Sequence, residues 1–150
     1  MTITKTKRMG LDVLREAAEA MELPPAPALL GWQALELRPG FVRVRYEARE
    51  AFYNPQGNVQ GGFLAAMLDD AMGPAAFTLL DEGSFAPTLE MKVSFVRPAR
   101  AGVLIAEGSV VHQSKRFMHV EGKLMTEDGE LIATGTATLV VQLPQQKEER

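Results

Sequence analysis

The chain contains no cysteine, which excludes disulfides, thiolate-bound metals and a cysteine nucleophile, and fits a reducing compartment. It has two histidines, His112 and His119, which argues against a histidine-based zinc site. No Gly-x-Ser-x-Gly elbow is present, which argues against a serine hydrolase. No apolar run approaches the roughly 20 residues that a membrane-spanning helix needs. The opening MTITKTKR lacks the apolar stretch of a secretory signal. The net charge of −3 gives no pull toward nucleic acid or an anionic bilayer. The expectation is a soluble cytoplasmic protein with no metal, no nucleic acid and no membrane among its partners.

What is there suits one folded domain over residues 1–150, since 46% of residues are hydrophobic and 23% charged, which excludes disorder across the whole chain. Residues 9–22 place Leu11, Leu14, Ala18 and Met21 on one helical stripe, so an amphipathic surface helix is predicted. The PPAPA stretch at 24–28 stops it and reads as a linker. Residues 29–37 and 41–48 are strand-like, with Pro39-Gly40 as the turn between them. Four more strands are predicted at 86–97, 102–112, 116–126 and 130–142, the last two joined by an Asp128-Gly129 hairpin turn. The end, 143–150, reads as a polar tail.

Between the two sets of strands lies the stretch around which the rest is organised. Pro55, Gly57 and Asn58 punctuate a polar loop that ends in Gly61-Gly62. A helix follows, to about residue 80, with almost no polar face, so it should be buried on most sides. Pro74 removes one backbone donor and should kink or widen it near Gly73-Pro74. Two carboxylates, Asp69 and Asp70, interrupt this apolar segment. A carboxylate there is costly unless it is paired, hydrogen-bonded or wetted by a cleft, so these two are the first candidates for function. One helix with a run of antiparallel strands is an α+β layer architecture. A six-stranded sheet with one apolar face would curve around that helix.

The order β-β-α-β-β-β-β, with a buried helix entered through a glycine pair, resembles the hot-dog fold. Asn54-x-x-Gly57-x-x-Gln60-Gly61-Gly62 followed by Asp69 resembles the PaaI-like branch of the acyl-CoA thioesterases, the 4-hydroxybenzoyl-CoA thioesterase type. The resemblance spans about residues 30–142. The family usually has histidine where this chain has Gln60, and some relatives have serine or threonine where it has Gly73.

The resemblance implies hydrolysis of a thioester to a free acid and coenzyme A, with no separate cofactor, coenzyme A being part of the substrate. It implies that the Gly61 N–H polarises the thioester carbonyl. The first N–H groups of a helix are free to donate, and glycine leaves the approach open; the structural alternative is that both glycines merely turn the chain into the helix. The family spacing selects Asp69 as general base on water or as a nucleophile forming a mixed anhydride. Asp70 lies about 100° round the helix, so both acids should not share one narrow pocket. Asp70 is expected at the subunit interface or bonded to a backbone group freed by Pro74. Asn54 would orient the thioester or the water, or would form an Asx-turn before Pro55. Gly57, Gln60 and Gly62 complete the substrate loop.

Distance adds a constraint. Gly61 and Asp69 are eight residues apart, about 12 Å along a helix, whereas a water attacking a carbonyl held at Gly61 must lie within about 3 Å of its base. If both act, Asp69 must come from a second subunit, and a two-fold dimer would make two identical sites. A homodimer at least is expected, or a homotetramer. Arg97 and Arg100, and Lys115 and Arg116, are two basic clusters able to meet the phosphates of coenzyme A, or simply solvated strand ends. Met67, Met72, Met91, Phe77 and Phe95 line an acyl pocket or form plain core. His112 and His119 read as structural or surface residues. Two alternatives stand beside hydrolysis: a hydratase or dehydratase of the same fold, and a non-catalytic acyl-CoA-binding module.

Overall fold

A computed structural model describes residues 7–144. Its elements run α1 (Gly10–Ala20), α2 (Pro25–Leu30), β1 (Gln33–Arg38), β2 (Phe41–Ala48), α3 (Gly61–Phe77), β3 (Thr88–Phe95), β4 (Gly102–Gln113), β5 (Phe117–Thr126) and β6 (Leu131–Val140). The strands form one antiparallel sheet in the order β1-β2-β4-β5-β6-β3. The α+β reading, the six strands and the extra N-terminal helix all hold. Residues 145–150, most of the expected polar tail, lie outside the described residues.

α2 departs from the linker reading. Pro25 and Pro27 fall in its first turn, where the backbone N–H groups have no helical partner to lose. The proline-rich stretch is therefore compatible with a short helix, which ends at Gly31 in the left-handed region at φ 71°. β1 begins only at Gln33 for that reason. The other boundaries lie close to those expected. Gly40 (φ 75°) and Gly129 (φ 89°) occupy the predicted turns, where only glycine adopts such angles freely.

Alternation drives the sheet onto α3. Val42, Val44, Tyr46 and Ala48 of β2 are buried while Arg43 and Glu47 between them are exposed. In β5, Met118, Val120 and Leu124 point inward in the same way. Three glycines, Gly108, Gly122 and Gly135, stand side by side across β4, β5 and β6. A Cβ at Gly108 would lie 2.4 Å from the Ala71 carbonyl oxygen, and one at Gly122 would lie 2.9 Å from Met72. This glycine row is what lets the α3 backbone lie directly on the sheet, with Met72 filling the trough.

α3 runs through Pro74 to Phe77 as one helix. It buries Leu64, Met67, Leu68, Ala71, Met72, Ala75 and Ala76. It is not enclosed all round: Gly62, Ala66 and Asp69, spaced i, i+4, i+7, form an exposed stripe beside β3. The two edges of the sheet also differ. At β1, Arg15 of α1 donates to the Leu37 carbonyl at 3.1 Å, and the register shifts between Ala34 and Glu36, so that edge is blunted. At β3 the far edge leaves Leu89, Phe95 and Val96 62%, 55% and 57% exposed. No helix among the described residues is long and apolar enough to cross a membrane.

Candidate active site

The loop before α3 is built on Asn54. Its Oδ1 accepts the N–H of Gln56 (3.0 Å) and of Asn58 (3.2 Å), and its backbone N–H donates to the Asn58 carbonyl at 2.8 Å. This is an Asx-turn, the structural one of its two readings. Gly57 donates to the Asn54 carbonyl at 3.0 Å and sits at φ 77°, so its glycine is required by the turn. Gln60 is the residue before the helix. Its N–H donates to the Phe52 carbonyl at 2.9 Å, and its exposed side chain makes no capping bond.

Gly61 and Gly62 then present backbone N–H groups that find no acceptor among the described residues, as expected for a helix start. Asn54, Gly61, Phe95 and Arg97 line one open cleft of about 350 Å³. The Phe95 ring lies against Gly61, where a Cβ would come within 3.0 Å of it. Gly62 faces outward with open space around it.

Asp69 is elsewhere. It lines a second open cleft, of about 440 Å³, formed by α2, α3 and the chain entering β3. Within one chain the structure therefore does not bring Gly61 and Asp69 together. Asp69 is exposed, and its Oδ1 accepts the Thr88 hydroxyl at 2.8 Å. The carboxylate that the fold draws inward is Asp70, not Asp69. Asp70 accepts the hydroxyl of the fully buried Tyr46 at 2.7 Å, so its partner is a phenol of β2 rather than a backbone group freed by Pro74. Burial pushes the Asp70 carboxyl from 3.8 up to about 6; the Tyr46 hydrogen bond opposes that rise and the charge of Asp69 adds to it. Burial first, and the Asp70 charge second, also pushes the Tyr46 phenol well up. Both acids line the second, open cleft, but their carboxylates turn apart, Asp69 to Thr88 and Asp70 to Tyr46.

The basic clusters separate in the same way. Arg97 follows β3 and pairs with Glu130 at 3.6 Å; Arg100 is nearby, exposed, before β4. Lys115 and Arg116 join β4 to β5 at the opposite end of the sheet, the end where β3 begins at Thr88. Each end of the molecule thus carries half of the candidate residues: Gly61, Asn54 and Arg97 at one, Asp69, Lys115 and Arg116 at the other. Met67 and Met72 are plain core. His112 and His119 face each other across β4 and β5, exposed, with ring centroids 6.2 Å apart. Among the described residues no group of three or more His, Asp or Glu could hold a metal.

Thr88 and Tyr46 were not among the sequence candidates. Thr88 is 19 residues from Asp69, and no local spacing links them. Tyr46 did carry a signal: a phenol in the inward positions of an otherwise aliphatic strand needs a hydrogen-bond partner.

Comparison with known proteins decides the family. The model of the thioesterase superfamily matches residues 56–133, which takes in the loop after Asn54 and Pro55, α3, β3, β4, β5 and the start of β6. The chain belongs to the thioesterase superfamily. A phenylacetic acid degradation-related protein from Ralstonia eutropha JMP134 is 35% identical; the match covers 89% of this chain and 99% of that one, with a TM-score of 0.79. The E. coli PaaI protein from the phenylacetic acid degradation operon shares the fold at 20% identity, covering 92% and 99%, with a TM-score of 0.81. A hypothetical thioesterase protein from Streptococcus pneumoniae TIGR4, solved with coenzyme A, shares it at 22% identity, covering 77% and 88%, with a TM-score of 0.70. This superfamily member therefore has the hot-dog fold of the PaaI-like thioesterases.

Proposed function

We propose that the protein is an acyl-CoA thioesterase whose site is shared between two copies of the chain. The observation that carries this reading is the division of the helix: Gly61, whose N–H has no partner among the described residues, lines one cleft, and the Asp69 carboxylate lines another. Each cleft alone lacks half of what acyl transfer needs. An antiparallel second copy, laid against the exposed stripe Gly62–Ala66–Asp69 and the open β3 edge, would supply the missing half to both. The Arg15 side chain covers part of the β1 edge, whereas β3 leaves Leu89 and Phe95 exposed, which supports pairing on that side. A dimer is then the smallest complete assembly.

In the proposed reaction, the N–H of Gly61 in one copy donates to the thioester carbonyl oxygen. Asp69 of the other copy takes a proton from water as it attacks the carbonyl carbon. The tetrahedral intermediate collapses with cleavage of the C–S bond, the thiolate of coenzyme A takes up the proton held by Asp69, and the acid loses its own proton to solvent and leaves as carboxylate. Thr88 holds Oδ1 of Asp69, which leaves Oδ2 to face the water. This favours a general base over direct attack, since the engaged carboxylate is less free to swing onto carbon. The relative solved with coenzyme A supports the substrate class, and Arg97, Arg100, Lys115 and Arg116 are the side chains suited to its phosphates. Gln60 and Gly62, exposed on either side of Gly61, are proposed as further substrate contacts.

The test is thiol release from a panel of acyl-CoAs by the wild type and by Asp69→Ala. Release by the wild type that is lost in the variant supports hydrolysis. Water addition without thiol release supports a hydratase, and binding without turnover by either protein supports a binding module. Single turnover in ¹⁸O-water probes the role of Asp69: label in Asp69 shows an anhydride opened at the aspartyl carbonyl, while label in the product alone fits a general base and leaves only an anhydride opened at the acyl carbonyl, which trapping with hydroxylamine would reveal.

A further inference from the structure

We infer that the cleft at Asp69 receives the acyl half of the thioester, that α2 forms its outer wall, and that the acyl groups it accepts are uncharged. The inference rests on the thioesterase reading above and names the substrate class of that site. Three elements wall the cleft: α2 through Ala26 and Leu30, α3 through Ala66 and Pro74, and the chain entering β3 through Ala86 and Pro87. These side chains are all apolar. The polar groups lining it are Asp69, Asp70 and Thr88, and no Lys, Arg or His lines it.

The thioester carbonyl must stand beside Asp69 for its water to reach it, so the two arms of the substrate leave that point in different directions. The phosphate-bearing arm finds no cation in this cleft and meets two carboxylates, so it cannot be the arm that enters. The acyl arm can, and burying it against apolar walls is favourable in proportion to the apolar surface removed from water. A terminal carboxylate on that arm would face Asp69 and Asp70 with no compensating donor but the Thr88 hydroxyl, which Asp69 already holds. Dicarboxylic acyl groups are thereby rejected by charge, and neutral ones are sorted by size. Ala26 is the residue that sets the size. It is exposed on α2, so a larger side chain there fills the cleft rather than the core. One methylene in a hydrophobic pocket discriminates about 10- to 200-fold.

The experiment is kcat/KM by thiol release for acetyl-, butanoyl-, octanoyl-, benzoyl- and succinyl-CoA with the wild type, Ala26→Leu, Ala26→Phe and Asp70→Asn. Thermal melts establish that each variant is folded, and the smaller leucine serves if phenylalanine disturbs α2. The expected result has three parts. The Ala26 variants lower the octanoyl-to-acetyl and benzoyl-to-acetyl ratios at least tenfold. The wild type handles succinyl-CoA at least tenfold worse than butanoyl-CoA. Asp70→Asn narrows that last gap without reordering the neutral substrates. Ratios unmoved by either Ala26 variant, or succinyl-CoA turned over as fast as butanoyl-CoA, would overturn the inference while leaving the thioesterase reading intact. A wild type inactive on the whole panel would overturn both.

Discussion

The hydroxyl of Tyr46 donates to Oδ2 of Asp70 at 2.7 Å, joining the middle of β2 to the middle of α3. Asp70 is the carboxylate that the apolar helix does draw inward, and the phenol is the partner that makes this tolerable. Its neighbour Asp69, one position earlier and turned toward the surface, keeps its solvent.

The Tyr46–Asp70 pair gives stability a pH dependence. Asp70 titrates near 6 in the folded chain against 3.8 for a free side chain. Between those values the folded state holds a proton that the unfolded state has released. The contribution of Asp70 to stability is therefore largest below about pH 4, falls as pH rises through about 6, and then levels off. The gap between the two values amounts to at most ~3 kcal/mol. Asp70→Asn keeps an acceptor for Tyr46 and removes the titration. It should stabilise the protein at about pH 7.5 and flatten the profile in urea unfolding between about pH 4.5 and 7.5. A wild-type profile that rises over this range would contradict the assignment.

Gly61→Pro isolates the N–H. Proline is tolerated at the first position of a helix, and Gln60, at φ −61° and ψ 138°, already has the extended conformation that proline demands of its predecessor. The exposed Phe95 ring is the group that must move. The variant should melt within a few degrees of the wild type and lose about 10²- to 10³-fold in kcat. Unchanged turnover would remove Gly61 from the chemistry.

Mixing two inactive variants tests the shared site. In a heterodimer of Asp69→Ala with Gly61→Pro, one of the two sites keeps an intact Gly61 from the first chain and an intact Asp69 from the second. Activity should return to as much as half of the wild-type value per heterodimer. If both residues act within one chain, no intact site forms and the mixture stays inactive.

Thr88→Ala should leave the fold intact, because the hydroxyl is at the surface, and should lower kcat about 10-fold with a smaller change in KM. Thr88→Ser, which retains the donor to Asp69, should recover most of it. Equal losses in both variants would argue that the hydroxyl does not position the acid.

Gly108→Ala probes the glycine row. Its Cβ would fall 2.4 Å from the Ala71 carbonyl oxygen, and backbone cannot yield as a side chain can. A loss of about 3 kcal/mol or more is expected, read as a lower urea midpoint, whereas Gly129→Ala in the hairpin turn meets no atom and should cost only the strain of its positive φ.

The fold was legible because it rests on local patterns. Alternation in 41–48 and 116–126, turn pairs at Pro39-Gly40 and Asp128-Gly129, and an apolar helix between the strands need only near neighbours to be recognised. The same holds for the helix start at Gly61, whose free N–H groups follow from helix geometry. α2 is hidden in the sequence because proline reads as a breaker, although in a first turn it breaks nothing.

Sequence alone thus determined the six strands, the long helix and their order, together with the helical rise that keeps Gly61 and Asp69 of one chain apart. Only the tertiary structure decided which acid is drawn inward, that Thr88 holds the other, and that the Asn54 side-chain oxygen closes a turn in its own loop. These depend on side chains from separate strands and helices converging in space, and linear spacing carries no trace of which residues meet across a sheet and a helix.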